Sequence, residues 1–369
     1  MVYVKIIITC GNPLLLYFRM YGLYACINML LYVYITCAVH FKMNFVKRLS
    51  ESPDLNSIPS IYTYSTNPNE SPVSNSQDSI PTIDFSLLTS PDPSLRLQVI
   101  QELGDACKDW GFFQVINHGV PEDLMNMVVE KSNEFFNLTD DEKKDFEEKD
   151  VLDPIRYGTS FNSKKDKVFC WRDFLKVIVH PEFHSPNKPV GFSEIMLEYS
   201  KRTREVVRGL LNGISMSLGL DQCCIENTLK LESGGLQIKH NGKWVNVNDT
   251  FPGSFLVNTA DHLEIFSNGK YKSVEHRAIV NNVATRISVV VANGPSLDTV
   301  VRPAYELVDE ERCPASFVPM KYREYLEMQQ GNQIVGKTCL DRVRVVQYGC
   351  NGRVHGLGGH EQRPYTSSR

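Results

Sequence analysis

The stretch Tyr271-Lys-Ser-Val-Glu-His276-Arg-Ala-Ile-Val280-Asn-Asn-Val-Ala-Thr285-Arg286-Ile-Ser288 decides how the C-terminal half of this chain is read. Apolar and polar residues alternate on both sides of Asn281-Asn282, the pattern of two half-buried strands. Asparagine tolerates the left-handed region, so the Asn-Asn pair can close a turn between them. On the first strand His276 shares a face with Val274, Ala278 and Val280, and that apolar face turns inward. On the second, Arg286 and Ser288 share one face, while Ile287, Val289 and Val291 take the other. A two-residue loop predicts His276 roughly opposite Arg286 and Ile287, so that an imidazole, a guanidinium and a hydroxyl converge.

Working outward, the same period continues from Leu236. Asn241-Gly242 separates Leu236–His240 from Trp244–Val247, and Asn268-Gly269 separates His262–Phe266 from Tyr271–Val280. Asn-Gly between alternating runs is a strong hairpin signal. About six strands joined mainly by hairpins predict an antiparallel barrel or jelly roll. Before this half the chain reads as helical. A short strand is expected at Ile80–Phe85, then a helix capped by Ser94 with Leu97, Ile100, Leu103 and Cys107 inward, ending at Trp110-Gly111. Phe112–Ile116 is a compact apolar strand. Pro121 opens another helix, with Leu124, Val128 and Phe135 on one face. Thr139 and Glu142 make a capping box. Ser193–Leu218 reads as one long helix with Ile195, Tyr199, Val206, Leu210 and Ile214 as its buried stripe. The expected class is therefore α+β, a helical region followed by a mostly antiparallel β domain.

Bulk properties narrow the function. At 369 residues, with 42% hydrophobic and 22% charged, the chain suits one large domain or two modest ones. A net charge of -4 and the lack of any Lys/Arg run argue against nucleic acid as a partner. The ten cysteines show no C-x-x-C spacing, so neither a zinc site nor a disulfide framework is indicated. Reduced thiols in a cytoplasmic protein is the simpler reading. Met20 to Val39 runs without a charge just after Arg19, long enough for a membrane span or an uncleaved signal anchor. The other reading is that residues 1–44 are an apolar leader outside the working protein. Residues 45–79, rich in Ser, Pro and Asn, are expected to be an extended lead-in. The helical region then covers 80–190 and the β domain 191–345, with a disordered tail over 346–369.

The trio His276, Arg286 and Ser288 has a chemical reading and a bland one. A neutral imidazole can bind Fe(II), an arginine fork pairs both oxygens of a carboxylate, and a hydroxyl adds a donor. Yet a single histidine is a weak metal signal, and from spacing alone a satisfied core histidine beside an ordinary paired arginine is the better account.

Further motifs shift that balance. Ile80-Pro-Thr-Ile-Asp84, Trp110-Gly-Phe-Phe-Gln-Val-Ile-Asn-His118-Gly119, Asp153-Pro-Ile-Arg156-Tyr157, Asn268-Gly269 through His276-Arg277, and Arg286-x-Ser288 occur in one order. Together they resemble the plant soluble 2-oxoglutarate- and Fe(II)-dependent dioxygenases, of the flavonoid, hormone and specialised-metabolite hydroxylase type. The likeness covers roughly residues 45 to 345 and implies a helical N-terminal part followed by a double-stranded β-helix. It implies His276 as the distal iron ligand, with Arg286 and Ser288 clamping the far carboxylate of 2-oxoglutarate. It also implies Fe(II), 2-oxoglutarate and ascorbate as cofactors, and O2 and a small plant metabolite as partners of a monomer. The family's chemistry is oxidative decarboxylation of 2-oxoglutarate to succinate and carbon dioxide, coupled to attack on a substrate C–H bond.

One part of the pattern is missing. None of the nine histidines begins a His-x-Asp, the motif that supplies the family's other two iron ligands. Leu231-Glu232-Ser233 runs directly into Gly234-Gly235, where that family carries on the order of forty more residues, including a tyrosine on 2-oxoglutarate. Two near-substitutes exist. His262-Leu-Glu264 would put both side chains on one strand face, in a segment where the family has an ordinary barrel strand. His180-Pro-Glu182 lies in a Pro-rich loop before the β domain. Asp261 reads as a turn residue, and His118 as a structural residue at a strand exit. One imidazole cannot hold Fe(II) against water, and a sheet short of strands cannot close. The expectation is thus a family oxygenase that is inactive as written, with an incomplete barrel. The alternatives are a catalytically dead member that binds a ligand or partner, and a non-functional product of a misassembled or alternatively spliced message.

Overall fold

Two β-sheets of unequal size face each other across an apolar layer, and helices back the larger one. The structure, a computed structural model, describes residues 2–9, 45–53, 55, 57–62, 79–147, 153–160, 169–221, 229–231, 236–247, 251–278, 285–330 and 338–345. The chain begins with β1 (Val2–Thr9). Next described is the one-turn helix α1 (Val46–Ser50), whose Val46 and Lys47 N–H groups donate to the two carboxylate oxygens of Asp173 at 2.8 Å each. The lead-in expected to be extended thus contains a helix, because a distant buried carboxylate satisfies its first amides.

β2 (Thr82–Asp84) leads to α2 (Pro93–Asp105). Asp92 caps α2 by accepting from the Ser94 N–H at 2.8 Å, so Ser94 is not the cap. Pro93, at the first helical position, moves the start two residues earlier. Leu97 is 65% exposed rather than inward, since the buried arc runs through Val99, Ile100 and Leu103 and leaves Leu97 at its rim. A π-turn over Ala106–Trp110 ends at Gly111 in the left-handed region (φ 64), which aims the chain into β3 (Phe112–Ile116). α3 (Glu122–Asn137) buries Leu124, Val128 and Phe135 as expected, with Pro121 at its cap position. α4 (Asp140–Lys143) carries the expected capping box of Thr139 and Glu142. After the antiparallel pair β4 (Ile155–Thr159) and β5 (Asp173–His180) comes the long α5 (Phe192–Ser217), which buries Tyr199, Val206, Leu210 and Ile214. Ile195 is only half-buried.

The β-rich half contains β6 (Leu229–Leu231), β7 (Leu236–His240), β8 (Lys243–Asn246), β9 (Phe255–Thr259), α6 (Asp261–Phe266), β10 (His276–Ala278) and β11 (Arg286–Asn293). It closes with β12 (Val300–Val301), β13 (Met320–Lys321), α7 (Tyr322–Gln330) and α8 (Thr338–Arg342). The β7–β8 hairpin forms as expected, with Asn241 (φ 48) and Gly242 (φ 78) both left-handed.

The large sheet has the order β2-β3-β9-β6-β11-β1-β5-β4, and the small one β10-β7-β8. Only β2–β3 is parallel among the described pairs of these two sheets. One face of the large sheet packs on α2, α3 and α5 through Ile83, Phe113, Val115, Tyr157, Leu175, Val177, Phe255, Val257 and Val291. Its other face meets the small sheet in a second cluster, Phe112 and Leu256 against Ile238, Val245 and Val247. This is an α+β jelly-roll arrangement whose described strands do not close into a barrel.

Three further expectations are corrected. His262–Phe266 is a helix, not a strand. The left-handed pair Asn268 (φ 53) and Gly269 (φ 82) terminates it, with the Gly269 N–H donating to Glu264 O at 2.8 Å. A left-handed pair stops a helix as readily as it closes a hairpin. The strand expected over Tyr271–Val280 is described only at His276–Ala278, with Ile279 and Val280 outside the described residues. Finally, β10 and β11 are not hairpin partners but members of different sheets. Met20–Val39, the Asn281-Asn282 turn and the tail after Val345 lie outside the described residues. Among the described residues, no helix is long and apolar enough to cross a membrane.

Candidate functional site

His276 sits on β10 opposite Ile238 of β7. Ile238, Val245 and Val274 all belong to the inter-sheet cluster, so the inner face of the small sheet is the one that carries His276. Its ring meets the edge of Phe112 of the large sheet, centroids 5.6 Å apart. The inward orientation read from the sequence is therefore correct, although the neighbouring strand is β7 rather than the one bearing Arg286. The outer face holds the strand in place. Arg277 donates from Nε to Gln237 Oε1 at 2.8 Å, and its guanidinium lies 3.9 Å from the Trp244 ring centroid. Gln237, buried, donates in turn to Asn246 at 2.7 Å. This brace was not foreseen, because it joins β10 through β7 to Trp244 on β8, a neighbourhood that only the assembled sheet creates.

Arg286 and Ser288 lie on β11 of the large sheet. Ile287, Val289 and Val291 pack into the helix-side core, so Arg286 and Ser288 point to the opposite side, where the small sheet lies. The alternation expected from the sequence holds. Ser288 is 2% exposed, and its Oγ has no hydrogen-bond partner among the described residues. A buried hydroxyl left without a partner is costly unless something else satisfies it. The Arg286/Ser288 face thus suits an anion that the hydroxyl can donate to, and a carboxylate of 2-oxoglutarate fits that chemistry.

The near-substitutes for the missing ligands are committed elsewhere. Because α6 is a helix, His262 and Glu264 are about 200° apart around its axis rather than on one face. The His262 ring lies edge-on between Tyr322 and Tyr325, with centroids 4.8 Å away in each case. Glu264, buried, accepts from the Ser273 N–H at 2.7 Å and pairs with Arg344. Asp261 accepts from Tyr325 Oη and from Ser273 Oγ, each at 2.7 Å. Burial, reinforced by the Asp261 carboxylate, pushes the Tyr325 hydroxyl well above its ordinary value, so it stays a donor. These contacts tie α6 to α7 and to Arg344, beyond α8. His180 lies at the end of β5, and Glu182, just beyond it, faces His184 at 3.8 Å.

His118 is structural, as expected. Its Nδ1 accepts from the Val120 N–H at 3.1 Å, so Nε2 carries the proton donated to Gly253 O at 2.7 Å. Its ring stacks on Phe255 at 3.9 Å, and burial lowers its pKa against the pull of the Gly253 carbonyl.

An iron site needs several preorganised ligands. Among the described residues no group of three or more His, Cys, Asp or Glu side chains could hold a metal ion. The described residues therefore include donors suited to a carboxylate of 2-oxoglutarate and, among them, no ligand set suited to Fe(II).

A jelly roll whose described strands do not close, behind a helical region, with His276, Arg286 and Ser288 on faces turned to the inter-sheet space, is the fold class these elements define. Comparison with known proteins agrees. Residues 80–197 match the family described as non-haem dioxygenase in morphine synthesis N-terminal, and residues 221–295 match the 2OG-Fe(II) oxygenase superfamily. The chain is 40% identical over 307 residues to 2-oxoglutarate-dependent dioxygenase 19 of Oryza sativa subsp. japonica, covering 72% of this chain and 90% of that protein. It is 35% identical over 328 residues to DMR6-like oxygenase 2 of Arabidopsis thaliana, covering 77% and 93%. The crystal structure of JOX2 in complex with 2OG, Fe and JA superposes with a TM-score of 0.70 at 24% identity, over 82% of this chain and 98% of that one. The chain belongs to the 2-oxoglutarate- and Fe(II)-dependent oxygenase family, whose cofactors are Fe(II) and 2-oxoglutarate. The rice relative is also the longer over the shared region. The 307 aligned positions take in 72% of 369 residues, about 266, so roughly forty aligned positions have no counterpart in this chain.

Proposed function

We propose that this chain derives from an oxygenase that hydroxylates or desaturates a small plant metabolite, and that as written it retains the 2-oxoglutarate clamp without a working iron centre. The observation that carries this reading is the donor set. His276 is the one residue that matches the family's two-His-one-carboxylate triad, and no His-x-Asp occurs in the sequence. The roughly forty positions of the rice alignment without a counterpart support it, and this reading assigns them to the point where Ser233 meets Gly234. When bound, iron supplies the oxidation chemistry of this family. The residues of this chain supply orientation: Arg286 and Ser288 engage the far carboxylate of 2-oxoglutarate.

The test is direct. Purified protein is incubated with Fe(II), 2-oxoglutarate, ascorbate and O2, and succinate is measured against a metal-free control. No difference is expected; clear Fe(II)-dependent succinate would overturn the proposal. The second reading, a catalytically dead member that binds a ligand, rests on the unpartnered hydroxyl of Ser288. It predicts iron-independent 2-oxoglutarate binding by calorimetry, weakened at least tenfold by Arg286→Met.

A further inference from the structure

The strand that carries Arg286 and Ser288 needs partners on both edges, and among the described residues of the β domain it finds one, where β6 meets it at Ala292 with Lys230. Along its whole length the described partner is β1, in an unbroken antiparallel register from Val2↔Asn293 to Thr9↔Arg286. The other edge of β1 pairs with β5, from Tyr3↔Ile178 to Ile8↔Asp173, with a register shift next to Val2. In the order β6-β11-β1-β5-β4, the β4–β5 ribbon therefore joins the sheet through β1.

We infer that Val2–Thr9 is a built-in completing strand: the first residues of the chain fill the space between β11 and β5 and so hold the Arg286/Ser288 strand in the sheet. The sequence suits this place. In Val-Tyr-Val-Lys-Ile-Ile-Ile-Thr every residue except Lys5 is β-branched or aromatic, and neither glycine nor proline interrupts it. Left exposed, such a segment pairs with other chains; as an interior strand it has no free edge. It also removes two liabilities at once, because without it both β5 and the apolar β11 would present unpaired ladders. The inference stands whether or not the iron site is complete.

Disulfide trapping in the full-length chain tests the register. Val4 and Val291 are opposed, and directly opposed positions on antiparallel strands lie within disulfide range. The Val4→Cys/Val291→Cys pair should form an intrachain disulfide under mild oxidation, located by peptide mass spectrometry. The Val4→Cys/Val289→Cys pair, two residues out of register, should link at least tenfold less. Absence of the first link, equal formation of both, or a link between two chains overturns the inference. A second measurement uses hydrogen exchange. Ile6→Pro in the full-length chain should speed exchange of the β5 and β11 amides at least tenfold and leave α5 unchanged. Unchanged protection in β11 also overturns it, and if this variant fails to fold, the cysteine pairs decide.

Discussion

Single residues show where the fold carries an open cost. Ser288 places a buried Oγ on an inward face without a partner among the described residues. Ser288→Ala should therefore leave the ligand-free protein unharmed or raise its stability by up to about 1 kcal/mol in urea unfolding. A loss of that size would mean that the hydroxyl has a partner after all. Asp173 is the opposite case, a buried carboxylate with work to do at α1. Burial raises its pKa above the ordinary 3.8, although the amides of Lys47 and Val46, the Thr159 hydroxyl and Lys143 pull the other way. A raised acid pKa means that the folded state holds the proton more tightly than the unfolded chain. Its contribution is full below 3.8 and is lost as pH rises through the raised folded value. The stability difference between the wild type and Asp173→Asn should accordingly shrink over that rise. A difference that grows with pH would refute the sign.

Elements differ in how strongly their local sequence commits them. Gly242 and Gly111 both have positive φ, yet their surroundings are unlike. A Cβ at Gly242 meets nothing within 4 Å, so Gly242→Ala should cost only the left-handed penalty of about 1–2 kcal/mol. A Cβ at Gly111 would overlap the Lys272 carbonyl oxygen, so Gly111→Ala should cost several times as much, read from denaturant midpoints. The dipeptide Asn-Gly shows the limit of local reading. At 241–242 it joins two strands, while at 268–269 it ends α6. His-Leu-Glu-Ile-Phe is too short for its apolar positions to separate period two from a helical turn. What favours the helix is tertiary: Glu264 reaches Arg344 and Ser273, and Asp261 reaches Tyr325.

At the scale of the molecule, the proposed reading traces the want of a His-x-Asp to the junction at Ser233-Gly234. Inserting a family segment that carries His-x-Asp at that junction should create Fe(II) binding and Fe(II)-dependent succinate formation. Failure of both, in a variant whose helix content is unchanged, would show that the rest of the β domain is not a sound scaffold. Such an insertion would also compete with β1 for β11 if the incoming strands take the same edge, which the cysteine pair at positions 4 and 291 would register as lost cross-linking.

Caps, periodicities and side-chain alternation were legible in the sequence because they depend on neighbours within a few residues. That is why β3, α3, the capping box at Thr139, the long α5, the β7–β8 hairpin and the common face of Arg286 and Ser288 follow from it, as does the want of a His-x-Asp. Beyond that tight hairpin, which strand lies beside which was not legible. His276 pairs across to Ile238, and Arg286 to Thr9 near the start of the chain. An edge of backbone N–H and C=O groups accepts any extended partner, so ladder neighbours are chosen by what the assembled sheets leave unpaired. Local sequence thus determined the elements and the chemistry on their faces; only the tertiary structure decided that Val2–Thr9 lies beside the strand of Arg286 and Ser288 and that His276 meets the large sheet from the small one.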